Sequence, residues 1–127
     1  MIDKSRIANP KTHYGSGKLA TRSFRVQRLT AMLLIPLTGF FVWFVVRLAG
    51  ADRAQMVDIV RNPIVAVLLV VLIGTVVAHM RIGMNEVIED YIEDHGLNRL
   101  AQLANIAFAV LVFAVTVIAI AKILFWG

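Results

Sequence analysis

Charged side chains cluster in short stretches of this chain and leave three long runs without Asp, Glu, Lys or Arg: residues 29–46, 63–80 and 100–121. A helix needs about 20 apolar residues to cross the hydrocarbon core of a bilayer, and about 17 suffice. The pattern predicts an all-α integral membrane protein with three transmembrane helices. Residues 1–28 are read as a basic tail and 29–127 as the anchor. Asn9-Pro10 and Gly15-Ser16-Gly17 are turn signals, so the tail is expected to be irregular until helix begins near Phe24. Pro36 and Gly39 predict a bend in the first span, where neighbouring helices or Thr38 can satisfy the freed backbone groups. Asn62-Pro63 reads as the cap and first turn of the second span. Gly74 and Ala78 then offer a small-residue strip for close helix contact. Lys122, Phe125 and Trp126 anchor the end of the third span at an interface. Ala101, Ala104, Asn105, Ala107 and Thr116 on that span point to a face covered by another chain, so the helices are expected to belong to a heteromeric bundle.

Composition excludes water as the solvent. The 127 residues are 59% hydrophobic and 17% charged, with a mean hydropathy of +0.78, too apolar for a soluble domain of this size to cover. There is no cysteine, which rules out disulfides, iron–sulfur ligation by this chain and thiol nucleophiles. The first apolar run starts at about residue 29 and ends in Arg47 without a small-residue cleavage pattern, so it reads as a retained span rather than a signal peptide.

The net charge of +5 does not imply nucleic acid. Lys4, Arg6, Lys11, Lys18, Arg22, Arg25 and Arg28 face only Asp3 in the tail, which the positive-inside rule places in the cytoplasm of a bacterium with an inner membrane. Loop 47–62 and the C-terminus then lie outside and loop 81–99 inside. Arg47, Arg53 and Arg61 in the outer loop oppose this assignment, against Arg81 and Arg99 in the inner one, but the tail comes first and is more basic.

Of the histidines, His13 lies in the tail and His95 in the inner loop; His79 stands at the end of the second span. An imidazole at membrane depth is a functional hypothesis by default, and neutral imidazole is a common axial ligand of haem iron. The alternative is an interfacial histidine bonded to a neighbour or a headgroup. A bis-histidine haem would need its second ligand from a partner. No helix breaker follows Gly83, so the helix should run on to Asp90-Tyr91. At 100° and 1.5 Å per residue, His79 and Asp90 share nearly one face, roughly 16 Å apart. A carboxylate beside a phenol suits two-proton reduction of a quinone. A solvated acidic helix end, with Glu86, Glu89, Glu93 and Asp94, is the plainer reading. Arg22, Arg25 and Arg28 suit membrane lipid headgroups, and haem carboxylates would seek the same cluster, with Arg28 innermost.

The stretch His79-Met-Arg-Ile-Gly-Met-Asn-Glu-Val-Ile-Glu-Asp90-Tyr91 resembles the motif of the hydrophobic anchor subunit of succinate dehydrogenase, the D-type chain of respiratory complex II. The basic tail, the three spans and the arginine before the first span agree with it. The His-Arg-x-Thr-Gly and His-Gly-x-Arg-His patterns of the C-type anchor are absent. The resemblance implies that His79 is one axial ligand of haem b and that the C-type anchor supplies the other. It further implies that Tyr91 hydrogen-bonds ubiquinone with Asp90 beside it, and that Arg28 lies near the haem propionates. A flavoprotein and an iron–sulfur subunit are the implied soluble partners. A fumarate reductase anchor would use the same parts in reverse. A small transporter or cofactor-free assembly protein is the rival class, although its ionisable groups would be expected deep in the helices, and here every carboxylate lies outside the spans.

Overall fold

The computed structural model describes residues 17–126, with side chains from residue 21 onward. Among the described residues four helices follow in order: α1 (Gly17–Leu48), α2 (Arg53–Arg61), α3 (Pro63–Tyr91) and α4 (His95–Trp126). The three long helices are apolar and long enough to cross a membrane. At 29 residues the shortest, α3, is roughly 43 Å long and overshoots a hydrocarbon core of about 30 Å.

Helix α1 starts at Gly17, earlier than the turn residues suggested, so the boundary read at residue 28 falls inside a continuous helix. It also runs on through Pro36. That proline cannot donate to the Met32 carbonyl. Thr38 does not substitute for it, because its hydroxyl donates to the Leu34 carbonyl instead. Gly50, with φ 78°, provides the left-handed turn after α1 that a side chain would resist.

The loop read at 47–62 contains α2, which the sequence pattern did not reveal. Asp52 and Gln55 form a reciprocal capping box at its start: the Asp52 carboxylate accepts from the Gln55 amide at 2.8 Å, and the Gln55 side chain accepts from the Asp52 amide at 3.0 Å. Val60 is buried beneath it, and Arg61 donates through Nε to the Ile123 carbonyl in the last turn of α4.

Helix α3 is central, with α1 packed on one side of it and α4 on the other. It contributes the buried Val65, Ala66, Leu72, Thr75 and Ile88, against Leu37 and Thr30 from α1 and Ala109 and Ile120 from α4. Asn62 caps its start, accepting from the Ile64 amide at 3.0 Å, with Pro63 in the first turn as expected. Gly74 lets α4 approach: a Cβ there would stand 3.4 Å from Phe113 Cε2. Asn105 of α4 donates to the Arg81 carbonyl of α3 at 2.9 Å. Ala101, Asn105 and Thr116 thus belong to the stripe turned towards the bundle, while Ala104 and Ala107 are exposed. The face attributed to another chain is therefore partly an internal one.

Candidate functional site

Antiparallel packing brings the start of the apolar part of α1 level with the end of the apolar part of α3, and this is where the polar groups gather. Thr30 of α1 is buried, at 8% exposure, and its Oγ1 lies 3.0 Å from Nδ1 of His79 on α3. The same hydroxyl is 2.8 Å from the Val26 carbonyl and 3.0 Å from that of Gln27. His79 is half-buried, and its Nε2 makes no hydrogen bond among the described residues. One turn further out, Gln27 and Gly83 face each other, since a Cβ at Gly83 would stand 3.6 Å from Gln27 Nε2. Gln27 Oε1 is buried there without a partner among the described residues.

The helix carrying His79 continues to Tyr91 without interruption, as the residue pattern predicted. Asp90 is exposed, as is Tyr91, at 81%. Asp90 falls about 20° from His79 around the axis and Tyr91 about 120°, so the pair straddles one edge at the end of α3. Asn85 donates to Glu89 at 3.1 Å, and the other carboxylates of this end, Glu86, Glu93 and Asp94, are exposed. Asn98, at the start of α4, donates to the Ile88 carbonyl at 3.2 Å and to that of Ile92 at 2.9 Å, closing the end of α3. Asp94 accepts from the Leu97 amide at 2.9 Å and caps α4. A polar cleft of about 200 Å³ opens at the same end between Ser23 of α1, Arg81 and Asn85 of α3, and Gln102 and Asn105 of α4.

Arg28 is not part of this cluster. It is exposed, its guanidinium lies 5.7 Å from the centre of the Phe24 ring, and it points about 160° away from Thr30 around α1. Arg22 and Arg25 are exposed too. His95 opens α4 as an exposed residue, and His13 lies outside the described residues. No group of three His, Cys, Asp or Glu side chains converges on one point among the described residues. A metal held here by His79 would therefore draw its other protein ligand from elsewhere. The sequence reading passed over Thr30 and Gln27. Their signal was a polar pair three residues apart, hence on one helix face, at the depth of His79.

The donor set at His79 fits an axial haem ligand. One ring nitrogen is engaged by a hydroxyl, the other has no hydrogen bond among the described residues, and the ring stands at the edge of an apolar helix pair. No three-ligand metal cage competes for it among the described residues.

A family model described as "Succinate dehydrogenase/Fumarate reductase transmembrane subunit" matches residues 2–121. The chain is also similar to the succinate dehydrogenase hydrophobic membrane anchor subunit of Rickettsia bellii (strain RML369-C), with 26% identity over 106 residues, covering 84% of this chain and 85% of that protein. No solved structure matches it. With the family match spanning nearly the whole chain, from the tail through all three membrane helices, the protein belongs to the transmembrane subunits of succinate dehydrogenase and fumarate reductase.

Proposed function

We propose that this chain is the smaller membrane anchor of a succinate:quinone oxidoreductase in a bacterial inner membrane, with its N-terminus in the cytoplasm. In this reading it holds a flavoprotein and an iron–sulfur subunit to the cytoplasmic face, pairs with a C-type anchor, supplies His79 to haem b and lends Tyr91 and Asp90 to a ubiquinone pocket. The observation that carries the reading is the continuity of α3, which bears His79 and Asp90-Tyr91 on one unbroken helix.

The division of labour follows from chemistry. Haem b, when bound, supplies one-electron storage near the quinone. His79 presents Nε2 as the ligand atom on this chain. The Tyr91 phenol donates a hydrogen bond to a quinone carbonyl oxygen, which draws electron density towards that oxygen as reduction proceeds. The Asp90 carboxylate, in contact with water, is placed to pass protons to the reduced oxygens. Arg28 meets lipid headgroups or a carboxylate beyond this chain, since its exposed position directs it outward.

Tyr91→Phe in the purified four-subunit complex tests the quinone assignment. Loss of one hydrogen bond of about 1.5–3 kcal/mol should slow succinate-to-ubiquinone turnover about ten- to hundredfold and leave dye-linked succinate oxidation unchanged. Equal quinone rates in the variant and the parent would remove Tyr91 from the pocket.

A further inference from the structure

We infer that Thr30 is the positioning residue of His79: its hydroxyl accepts the Nδ1 proton, fixes the ring's tautomer and plane, and leaves Nε2 as the free electron pair. The inference rests on the reading of His79 as a haem ligand.

A threonine hydroxyl has one proton and two acceptor lone pairs. In α1 the Thr30 hydroxyl stands 2.8 Å from the Val26 carbonyl and 3.0 Å from the Gln27 carbonyl, in the back-bonded position in which threonine gives its proton to the preceding turn. Carbonyl oxygens only accept, so the proton goes to them. The remaining contact, 3.0 Å to His79 Nδ1, is then one in which the hydroxyl oxygen accepts and the ring donates. A neutral imidazole that donates from Nδ1 carries its lone pair on Nε2, the nitrogen without a hydrogen bond among the described residues. Thr30 is also buried, so water does not compete for the bond, and Val26, Gln27 and Thr30 are fixed to one another by the helix.

The arrangement does three things at once. It selects the ring nitrogen that can bind metal, it holds the imidazole plane relative to α1, and by accepting the hydrogen bond from Nδ1–H it pushes electron density into the ring and makes Nε2 a stronger electron donor to iron. The third effect favours ferric over ferrous iron, so losing it should raise the midpoint potential of the haem.

Thr30→Val and Thr30→Ser in the assembled complex test this, read by haem content, redox titration and the low-spin electron paramagnetic resonance spectrum. Valine keeps the volume and the β-branch while removing the acceptor. It should weaken haem retention about 10- to 100-fold, the usual cost of losing such a partner, raise the midpoint potential and shift the low-spin g values. Serine restores the hydroxyl and should return potential and g values to those of the parent. A valine variant with parental potential and g values overturns the role of Thr30, as does a serine variant that fails to restore them in a complex that assembles. His79→Ala, prepared alongside, separates the two readings. If it leaves the haem signal unchanged, the ligand assignment itself fails; if it abolishes the signal while Thr30→Val changes nothing, only the Thr30 inference fails.

Discussion

His79 and Thr30 lie 49 positions apart, yet their side chains meet at hydrogen-bond distance between α1 and α3. Their bond makes the local chemistry of the ring depend on how two helices dock. Gly74 plays a comparable part between α3 and α4. Its missing side chain is the space that the Phe113 ring closes, with a Cβ just tolerated at 3.4 Å. Gly74→Ala should therefore leave the heat stability of the purified complex close to parental, while Gly74→Leu should destabilise it by about 1–3 kcal/mol through overpacking. Thermal aggregation of the detergent-solubilised complex checks both, and equal stability of the two variants would mean that the helices re-space freely. At this scale the sequence was legible in part. His79, Asp90 and Tyr91 stood out as candidates because they are polar residues in revealing positions. Thr30 did not, because a threonine in an apolar helix usually bonds its own backbone, and only the partner across the helix pair gives it a second meaning.

The long helices were readable because a bilayer demands runs of apolar residues that few other structures contain. The cap at Asn62-Pro63 was equally plain, since both residues have fixed preferences at a helix start. Helix α2 escaped because nine residues with alternating charges carry too little pattern to separate helix from loop. What holds it is a reciprocal cap, one buried valine and the Arg61 bond to the Ile123 carbonyl. Asp52→Ala removes the carboxylate that accepts from the Gln55 amide, leaving only the backbone half of the capping box, and should cost the element about 1 kcal/mol. Hydrogen exchange should then be about fivefold faster at the first amides of α2, with α3 unaffected; unchanged exchange would show that the Asp52 carboxylate does not hold the helix start. The start of α1 was misjudged for the opposite reason. Gly15-Ser16-Gly17 is a turn signal in the sequence, yet helix begins at its last residue, and residues 18–28, which contain no breaker, continue into the span that follows.

Across the whole molecule, three spans put the start of α1, the short connection 92–94 and the polar groups at one end, with α2 and the end of α4 at the other. Much apolar surface faces outward, including Phe24, Ile35 and Val46 on α1 and Leu103, Val110 and Ile118 on α4, as befits helices bathed in lipid or covered by a second anchor. The orientation in the membrane is open to direct measurement, because the chain has no cysteine to confuse labelling. Glu93→Cys should react with a membrane-impermeant maleimide only in inverted vesicles, and Ala51→Cys only in right-side-out ones. The reverse pattern would put the Asp90-Tyr91 edge outside the cell and detach it from any cytoplasmic partner.

The double hydrogen bond from Asn98 to the Ile88 and Ile92 carbonyls ties the end of α3 to the start of α4 across a connection of only three residues. A protein landing on this end meets a surface whose backbone is already fixed, so association need not freeze a wandering loop, and little of the contact energy is consumed in ordering it. Binding there should behave as the meeting of two rigid bodies, fast and weakly dependent on temperature, rather than as folding upon contact.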